Sequence, residues 1–286
     1  MNELPSQVLS PSSFSELFSL WNRFSDAEPV GGGTEFIRKH GSSRYGLSND
    51  ILTLDKLDDL RRMRRTERYL EIGAMVKLNQ ILNLGRIVPE PLTRCLEGIG
   101  GHQLRNLATI GGNICNTSYR HDSMAPMIAL DAQYELRSAS SLRWISASRF
   151  ISHSGHLGLN RQEILTRIRI PLEPWAFVKY VKLRDTDGGI LFIMKIEKNI
   201  LTDIRVVYSG QYIFRSKPSE TMLEGKRLPL DRKEADAFTE GWREYISGIM
   251  DNETSEVKPE DRYYDPDLIK AQIMNFIEIT ISGISD

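Results

Sequence analysis

Two glycine pairs, Gly100-Gly101 and Gly111-Gly112, bracket a short apolar segment and constrain the fold more than any other feature of the sequence. A glycine pair lacks two Cβ atoms, so the backbone can adopt positive φ and its N–H groups can approach a ligand closely. Successive N–H groups in such a turn form a concave site for anions. Thr109 and Asn113 flank the second pair and offer side-chain donors to phosphate oxygens. Two tight turns around a short strand would give the same pattern, so this alternative stays open.

A second glycine-rich loop lies upstream at residues 30–36, with the sequence VGGGTEF. It follows a segment in which Phe14, Leu17, Phe18 and Trp21 recur at helical spacing, which predicts an amphipathic helix. The loop is neither the dinucleotide fingerprint G-x-G-x-x-G nor a P-loop, since no Gly-Lys-Ser/Thr follows it. A lone GGGT indicates only a flexible turn. Two glycine loops, each beside a threonine, indicate a diphosphate held from two sides.

The pairing of VGGGTEF with GGHQLRNLATIGGNICN, at residues 100–116, resembles the FAD-binding subunit of the molybdenum hydroxylases. This family includes the corresponding subunits of xanthine dehydrogenase and carbon monoxide dehydrogenase. The resemblance is dense before residue 172 and sparse after it. Further matches to the family pattern are Glu71-Ile72-Gly73-Ala74, Asp122, Pro126, Leu130-Asp131-Ala132, Glu163-Ile164-Leu165, Gly210, Arg215, Glu220 and Gly225-Lys226.

The resemblance implies an α+β fold with a FAD-binding domain of the vanillyl-alcohol oxidase (PCMH) type at residues 1–173. That domain would consist of two subdomains, about 1–55 and 56–173. A smaller α+β domain would follow at residues 174–286. Its own pattern agrees, because strand-like segments followed by helical ones predict a sheet covered by helices.

Local patterns predict the individual elements. Helices are predicted at residues 75–98, where Pro89 and Pro91 interrupt the pattern, and at residues 123–130, 232–250 and 266–282. Strands are predicted at residues 51–54, 69–72, 134–137, 143–145, 177–183, 190–196 and 204–208. The charged stretch at residues 55–65 carries both signs and is interpreted as a solvated turn or hairpin rather than a nucleic-acid patch. The polar residues 251–266 are expected to form a surface loop.

The resemblance also implies which residues hold FAD. Asp122 would accept hydrogen bonds from sugar hydroxyls, although an Asp before a helical run is also a common N-cap. Ile99 would contact the flavin, with ordinary core packing as the alternative. Either Lys179 or Lys182 would lie near the adenine or phosphate end, with a solvated edge lysine as the alternative for both. The remaining implied residues are Val30, Gly31, Gly32, Gly33, Thr34, Glu35, Thr109, Ile110, Gly111, Gly112, Asn113 and Leu165.

Some positions depart from the family pattern or carry no chemistry. His102 stands where the family commonly has proline, which argues against a catalytic role. Arg105 is expected to be structural and to bond carbonyls beneath the loop. Tyr119-Arg120-His121 are bulkier than the usual residues before Asp122 and put the fit of the sugar pocket in doubt. No catalytic or metal-binding constellation is predicted.

Composition restricts the remaining function classes. The net charge of −1 argues against a broad nucleic-acid surface. The sequence has no apolar run of the roughly 20 residues that a membrane span needs, and its start lacks a signal-peptide pattern, so a cytoplasmic location is expected. Cys95 and Cys115 are the only cysteines, which are too few for an iron–sulfur cluster or a four-ligand zinc site. A redox role therefore needs an organic cofactor here and metal centres on partner chains.

By resemblance, the chain would take electrons from a small subunit with two iron–sulfur clusters and pass them through FAD to NAD or another acceptor. A large molybdopterin subunit would hydroxylate the organic substrate. The run RNLATIGGNICN is most similar to the xanthine (purine) dehydrogenase branch. Two alternatives remain: a scaffold subunit that has lost the flavin, and a self-contained flavin oxidoreductase.

Overall fold

The computed structural model describes residues 6–41, 50–116, 123–153, 156–183, 188–210, 212–253 and 266–283. Both helices and sheets build the fold, so the predicted α+β class is confirmed. The strands are β1 (Val8–Leu9), β2 (Glu28–Val30), β3 (Ile51–Thr53), β4 (Met63–Arg65), β5 (Tyr69–Gly73), β6 (Gln133–Arg137), β7 (Leu142–Ser146), β8 (Ile164–Pro171), β9 (Phe177–Leu183), β10 (Gly188–Glu197), β11 (Ile200–Ser209) and β12 (Ile213–Phe214). The α-helices are α1 (Phe14–Arg23), α2 (Thr34–His40), α3 (Leu78–Leu82), α4 (Glu90–Glu97), α5 (His102–Leu107), α6 (Ile110–Ile114), α7 (Met124–Ala129), α8 (Ala147–Phe150), α9 (Lys217–Leu223), α10 (Arg232–Glu253) and α11 (Pro266–Gly283).

The N-terminal layer is a small parallel sheet in the order β1-β3-β2, with α1 packed beside it. Leu17, Phe18 and Trp21 of α1 are buried in one cluster with Leu52 of β3. The hydroxyl of Ser13 caps the helix by accepting a hydrogen bond from a backbone N–H three residues later. The amphipathic helix predicted from the apolar spacing is confirmed.

A five-stranded antiparallel sheet follows, in the order β4-β5-β8-β6-β7. The charged stretch 55–65 forms a 3₁₀ helix at Asp58–Arg61 and then β4, which pairs with β5 as an exposed hairpin. The inner face of the sheet packs Ile72, Tyr134 and Ile168 against the helices α3, α4, α6, α7 and α8. Because β4 is exposed and pairs with β5, the interpretation of residues 55–65 as a solvated turn or hairpin is confirmed.

One local prediction was wrong, and one alternative that the sequence left open is excluded. Residues 75–98 do not form one helix: α3, a 3₁₀ helix at Gly85–Ile87 and α4 follow one another. Gly85 interrupts the pattern with a φ of 59°, and Pro89 is the N-cap of the next helix. The glycine motif at residues 100–116 contains no strand inside it, because α5 and α6 lie there instead.

The C-terminal sheet is antiparallel, in the order β12-β11-β10-β9. Its central strand β10 is buried on both faces, so it has a continuous apolar run rather than an alternating one. Phe192 and Met194 face a core built with α9, α10 and α11, whereas Leu191 and Ile193 face the core that contains α4 and α7. The predicted strands and the two long helices are confirmed, while residues 254–265 of the expected surface loop lie outside the described residues.

Two arginines join the C-terminal sheet to the residues after α7. Arg215 donates from Nη1 to the carbonyl of Ile128 at 3.0 Å and pairs with Asp131 at 3.2 Å. Arg205 pairs with the other oxygen of Asp131 at 2.7 Å. Arg215 also pairs with the buried carboxylate of Glu220 at 3.1 Å. Residues that the sequence singled out far apart along the chain therefore meet in one ion-pair network.

Candidate functional site

A cavity of about 500 Å³ lies where the two glycine loops meet, a size within the roughly 300–1,000 Å³ of small-molecule and cofactor pockets. Ten of the residues that the resemblance implied line it: Val30, Gly31, Gly32, Gly33, Thr34, Glu35, Ile99, Thr109, Gly112 and Asn113. The remaining lining residues are Glu28, Pro29, Phe36, Arg38, Lys39, Leu104, Ala108, Cys115, Asn116 and Leu159.

The first glycine loop connects β2 to α2 and has little room for side chains. Gly33 adopts a φ of 73°, a left-handed conformation that favours glycine, immediately before α2 begins at Thr34. A Cβ on Gly32 would overlap the carbonyl group of Leu107, which belongs to the second motif. A Cβ on Gly31 would lie 2.9 Å from the hydroxyl oxygen of Thr109. The absence of side chains thus lets the two loops contact each other directly.

The second glycine loop is organised by Thr109, which is the N-cap of α6. Its hydroxyl oxygen accepts a hydrogen bond from the Gly112 backbone at 3.1 Å, so its hydroxyl hydrogen stays available as a donor. Gly111 packs against Ala74, the residue after β5: a Cβ there would lie 2.7 Å from the backbone oxygen of Ala74. Gly111 therefore packs inside the fold, whereas Gly112 lines the cavity.

Asn113 brings an unsatisfied acceptor to the cavity wall. Its Oδ1 atom is buried, and no group among the described residues donates to it. A buried polar atom without a partner costs roughly 1–3 kcal/mol, so this position favours a ligand that carries an N–H or O–H group.

A turn at the end of α4 brings Ile99 to the cavity. The guanidinium of Arg105 lies beneath this turn, with Nη1 donating to the carbonyls of Glu97 at 3.1 Å, Ile99 at 3.0 Å and Gly100 at 2.6 Å. The predicted structural role of Arg105 is therefore confirmed. His102 contacts Asn79 at 3.2 Å from its Nδ1 and does not line the cavity.

Charged side chains of both signs line the cavity mouth, and sequence reasoning missed most of them. Arg38 donates to both carboxylate oxygens of Glu35, at 2.8 and 2.6 Å, and Lys39 lies 4.0 Å from the same carboxylate. Glu28 adds a second carboxylate, so charges balance among the described lining residues. The one signal that could have revealed the two cations is helical spacing, because Arg38 lies four positions after Thr34 and Lys39 four positions after Glu35.

Cys115 lines the cavity as a neutral thiol. Burial raises the pKa of this thiol to about 12. Only the thiolate is strongly nucleophilic or ready to be oxidised, so the side chain is chemically inert near neutral pH.

Several residues implied by the resemblance lie elsewhere. Ile110 and Leu165 are buried in the core between the sheet and its helices. Lys182 donates from Nζ to the carbonyl of Gly98 at 2.7 Å, behind the turn that carries Ile99. Lys179 shares its face of β9 with Phe177, Val181 and Leu183, which pack in the C-terminal core. Asp122 and the bulky segment before it lie outside the described residues.

Comparison with known proteins identifies the family. Residues 4–173 match the family described as the FAD binding domain in molybdopterin dehydrogenase. The chain belongs to this family. It is an FAD-binding oxidoreductase subunit of the molybdenum hydroxylase type.

Named relatives agree with this assignment, and a solved structure shares the fold. The chain is 27% identical over 246 residues to the nicotinate dehydrogenase FAD-subunit of Eubacterium barkeri, covering 80% of this chain and 83% of that one. It is 31% identical over 154 residues to the xanthine dehydrogenase FAD-binding subunit of Escherichia coli O157:H7, covering 52% of this chain and 51% of that one. The fold is that of a chain in carbon monoxide dehydrogenase from Hydrogenophaga pseudoflava, with a TM-score of 0.78, 21% identity and coverage of 99% and 98%. In the described part of the chain, no helix combines the length and apolarity that crossing a bilayer requires.

Proposed function

We propose that the cavity is the FAD site and that residues 30–35 and 109–113 hold the diphosphate and the ribityl chain. The observation that carries this proposal is the direct contact between the two glycine loops across one cavity, at Gly32 and Leu107. Because the lining charges balance, backbone N–H groups and hydroxyls must provide most of the attraction for a diphosphate. The geometry fits that requirement, since the glycines leave the backbone open to a ligand.

Individual residues receive specific roles in this proposal. Thr34 and Thr109 donate hydroxyl hydrogens to the diphosphate. Asn113 accepts a hydrogen bond at its orphaned Oδ1 from a hydroxyl of the ribityl chain or an N–H of the flavin ring, in addition to the amide donation expected from sequence. Ile99 and Leu104 provide apolar surface for the flavin ring. Asp122 keeps its proposed role toward the sugar hydroxyls.

Bound FAD supplies redox chemistry that accepts and releases electrons singly or in pairs. The residues of this chain bind and orient the cofactor and limit the access of water to it. Because the thiol of Cys115 stays protonated, this side chain presents no competing nucleophile to the cofactor. The chain therefore acts as an electron carrier whose substrate chemistry takes place on another subunit.

We propose further that the chain works in an assembly with an iron–sulfur subunit and a molybdopterin subunit, taking electrons from the former and passing them to NAD or another acceptor. The named relatives support this, because their names describe subunits of dehydrogenases. A xanthine-like or other purine substrate is proposed from the run RNLATIGGNICN. The relative with the longer match is a nicotinate dehydrogenase subunit, so a nitrogen heterocycle is the broader class that both names share.

The first experiment is purification of the chain and its visible absorption spectrum before and after addition of FAD. We expect the bands of oxidised flavin and stoichiometric uptake. A colourless chain that ignores added FAD would contradict the proposal and favour the flavin-free scaffold.

The second experiment separates an electron-transfer subunit from a self-contained enzyme. The isolated chain is assayed with hypoxanthine, xanthine and nicotinate, and then again after co-expression with candidate small and large subunits from neighbouring genes. We expect turnover only in the assembly, and comparison of NAD⁺ with oxygen then identifies the acceptor. Turnover by the isolated chain would contradict the proposed division of labour.

A further inference from the structure

The turn that brings Ile99 to the cavity is held by cations at each of its four carbonyl groups. Arg105 binds the carbonyls of Glu97, Ile99 and Gly100, and Lys182 binds that of Gly98 at 2.7 Å. Hydrogen bonds from charged donors are roughly twice as strong as hydrogen bonds between neutral groups. The conformation of this turn therefore depends on two side chains rather than on helix geometry alone.

The two cations come from different parts of the fold. Arg105 lies in the glycine motif itself, a few residues after the turn. Lys182 lies 84 residues beyond Gly98, on the edge strand of the C-terminal sheet. The contact is thus a direct link between the C-terminal sheet and the wall of the cavity.

The register of β9 fixes the direction in which Lys182 points. Residues two apart on a strand share a face, so Lys182 lies on the same side as Val178 and Tyr180. Both of these pack against the core that contains α4. Tyr180 reaches the turn as well, because a Cβ on Gly98 would lie 3.4 Å from its ring carbon Cε1. The ammonium group therefore reaches the Gly98 carbonyl from the face of β9 that packs against this core, while Lys182 itself is exposed.

We propose that Lys182 is a positioning residue for the flavin: it holds the Gly98 carbonyl and thereby sets where Ile99 meets the cofactor. This rests on the proposed FAD site. In this proposal Lys182 affects the cofactor through the turn, and not by the contact near the adenine or phosphate end that the resemblance implied. It also explains how a domain that contributes no described lining residue controls the environment of the cofactor.

The test uses the full chain in three variants: K182M, which keeps the length of the side chain without its charge, K182R, which restores a cation, and K233M, a matched control on the exposed surface of α10. The FAD dissociation constant, the visible circular dichroism of the bound flavin and amide hydrogen exchange of residues 97–101 without FAD are measured. For K182M we expect about fivefold weaker FAD binding, an altered flavin dichroism and about fivefold faster exchange at the turn. K182R and K233M are expected to stay within about twofold of the wild type.

Each outcome supports or overturns the inference. Wild-type exchange, affinity and dichroism in K182M would overturn it, and so would equal effects of K182M and K182R, since the charge would then be irrelevant. If the wild-type chain binds no FAD, the proposed function fails. In that case, faster exchange in K182M but not in K182R or K233M would still show that Lys182 stabilises the turn. Unchanged exchange in K182M would contradict this role too.

Discussion

The backbone of Gly32 lies directly against the carbonyl group of Leu107. A Cβ on Gly32 would lie 3.0 Å from the Leu107 carbonyl carbon and 3.1 Å from the Cα of Ala108, and closer still to the carbonyl oxygen. Backbone atoms cannot swing aside as the end of a flexible side chain can. Any side chain at this position therefore forces the two glycine loops apart and opens the cavity wall between them.

G32A is expected to lower the free energy of unfolding by about 2 kcal/mol, the usual cost of overpacking. FAD affinity is expected to fall by more than about tenfold, because both loops shift. Urea denaturation and flavin titration measure the two effects.

The control for this prediction is the next glycine. Gly33 has nothing within 4 Å of a built Cβ, so G33A meets no clash and carries only the cost of its φ of 73°. We expect a loss of stability of about 1 kcal/mol for G33A and less for G33N, since asparagine tolerates left-handed backbone better. Equal stability of G32A and the wild type would show that the loops do not touch as described.

R105M tests the hold of the guanidinium on the turn beside the cavity. The substitution leaves three carbonyl groups without their donor, so we expect a loss of unfolding free energy of about 2 kcal/mol. R105K keeps the charge but not the forked geometry and should recover only part of this loss. R94M, on the exposed side of α4, is the matched control and should stay within about 0.5 kcal/mol of the wild type. A similar loss for R94M and R105M would argue against a special role of the turn.

The sequence predicted the structural role of Arg105 beneath the loop, and it also predicted larger features of the fold and the site. The paired glycine motifs gave the family and the cofactor, because unusual backbone demands leave glycine at fixed positions. Apolar spacing predicted α1, the strands β3, β5, β6, β7, β9, β10 and β11, and the two long C-terminal helices, whereas β8 and β12 were not predicted. These features depend on local pattern or on backbone geometry, and residues close together in the sequence determine both.

Features that depend on long-range packing were not predicted. The short helices α5 and α6 replace a possible strand, because Gly101 is the N-cap of α5 and the second glycine pair lies inside α6. Lys179 and Lys182 could not be distinguished until the register of β9 assigned them to opposite faces. Arg38 and Lys39 were missed because helical spacing relates them to Thr34 and Glu35 but does not show that α2 turns these residues toward the cavity.

Cys115 is expected to resist alkylation in the folded chain. With a pKa of about 12, its thiolate fraction at pH 8 is on the order of a thousandfold below that of an ordinary cysteine. Iodoacetamide labelling followed by peptide mass spectrometry should therefore modify Cys115 quickly only after unfolding in urea. Rapid labelling of the native chain would mean that the thiol is activated, and the reading of Cys115 as an inert wall residue would be wrong.

The final prediction concerns the pH dependence of stability and the buried carboxyl of Glu220. Burial raises the pKa of Glu220 to about 7, despite the opposing effects of Arg215 and of the Val206 backbone N–H that donates to it at 2.9 Å. Since the folded pKa lies above the ordinary value of 4.5, the folded state binds more protons than the unfolded state between these two pH values. The contribution of Glu220 is therefore fully present below pH 4.5 and is lost as the pH rises through about 7. A shift of this size corresponds to about 3 kcal/mol.

E220Q cannot ionise and keeps the shape of the side chain with one acceptor oxygen, so its unfolding free energy should lack this fall. Between pH 5 and pH 7.5, we expect the stability of the wild type relative to E220Q to decrease by about 2 to 3 kcal/mol, as measured by urea denaturation at each pH. E240Q is the control, because the pKa of exposed Glu240 is lowered by hydrogen bonds from Arg243 and Lys270. Its relative stability should change little, and in the opposite direction. Parallel pH profiles for the wild type and E220Q would mean that Glu220 stays ionised, and that Arg215 alone compensates for the burial of its charge.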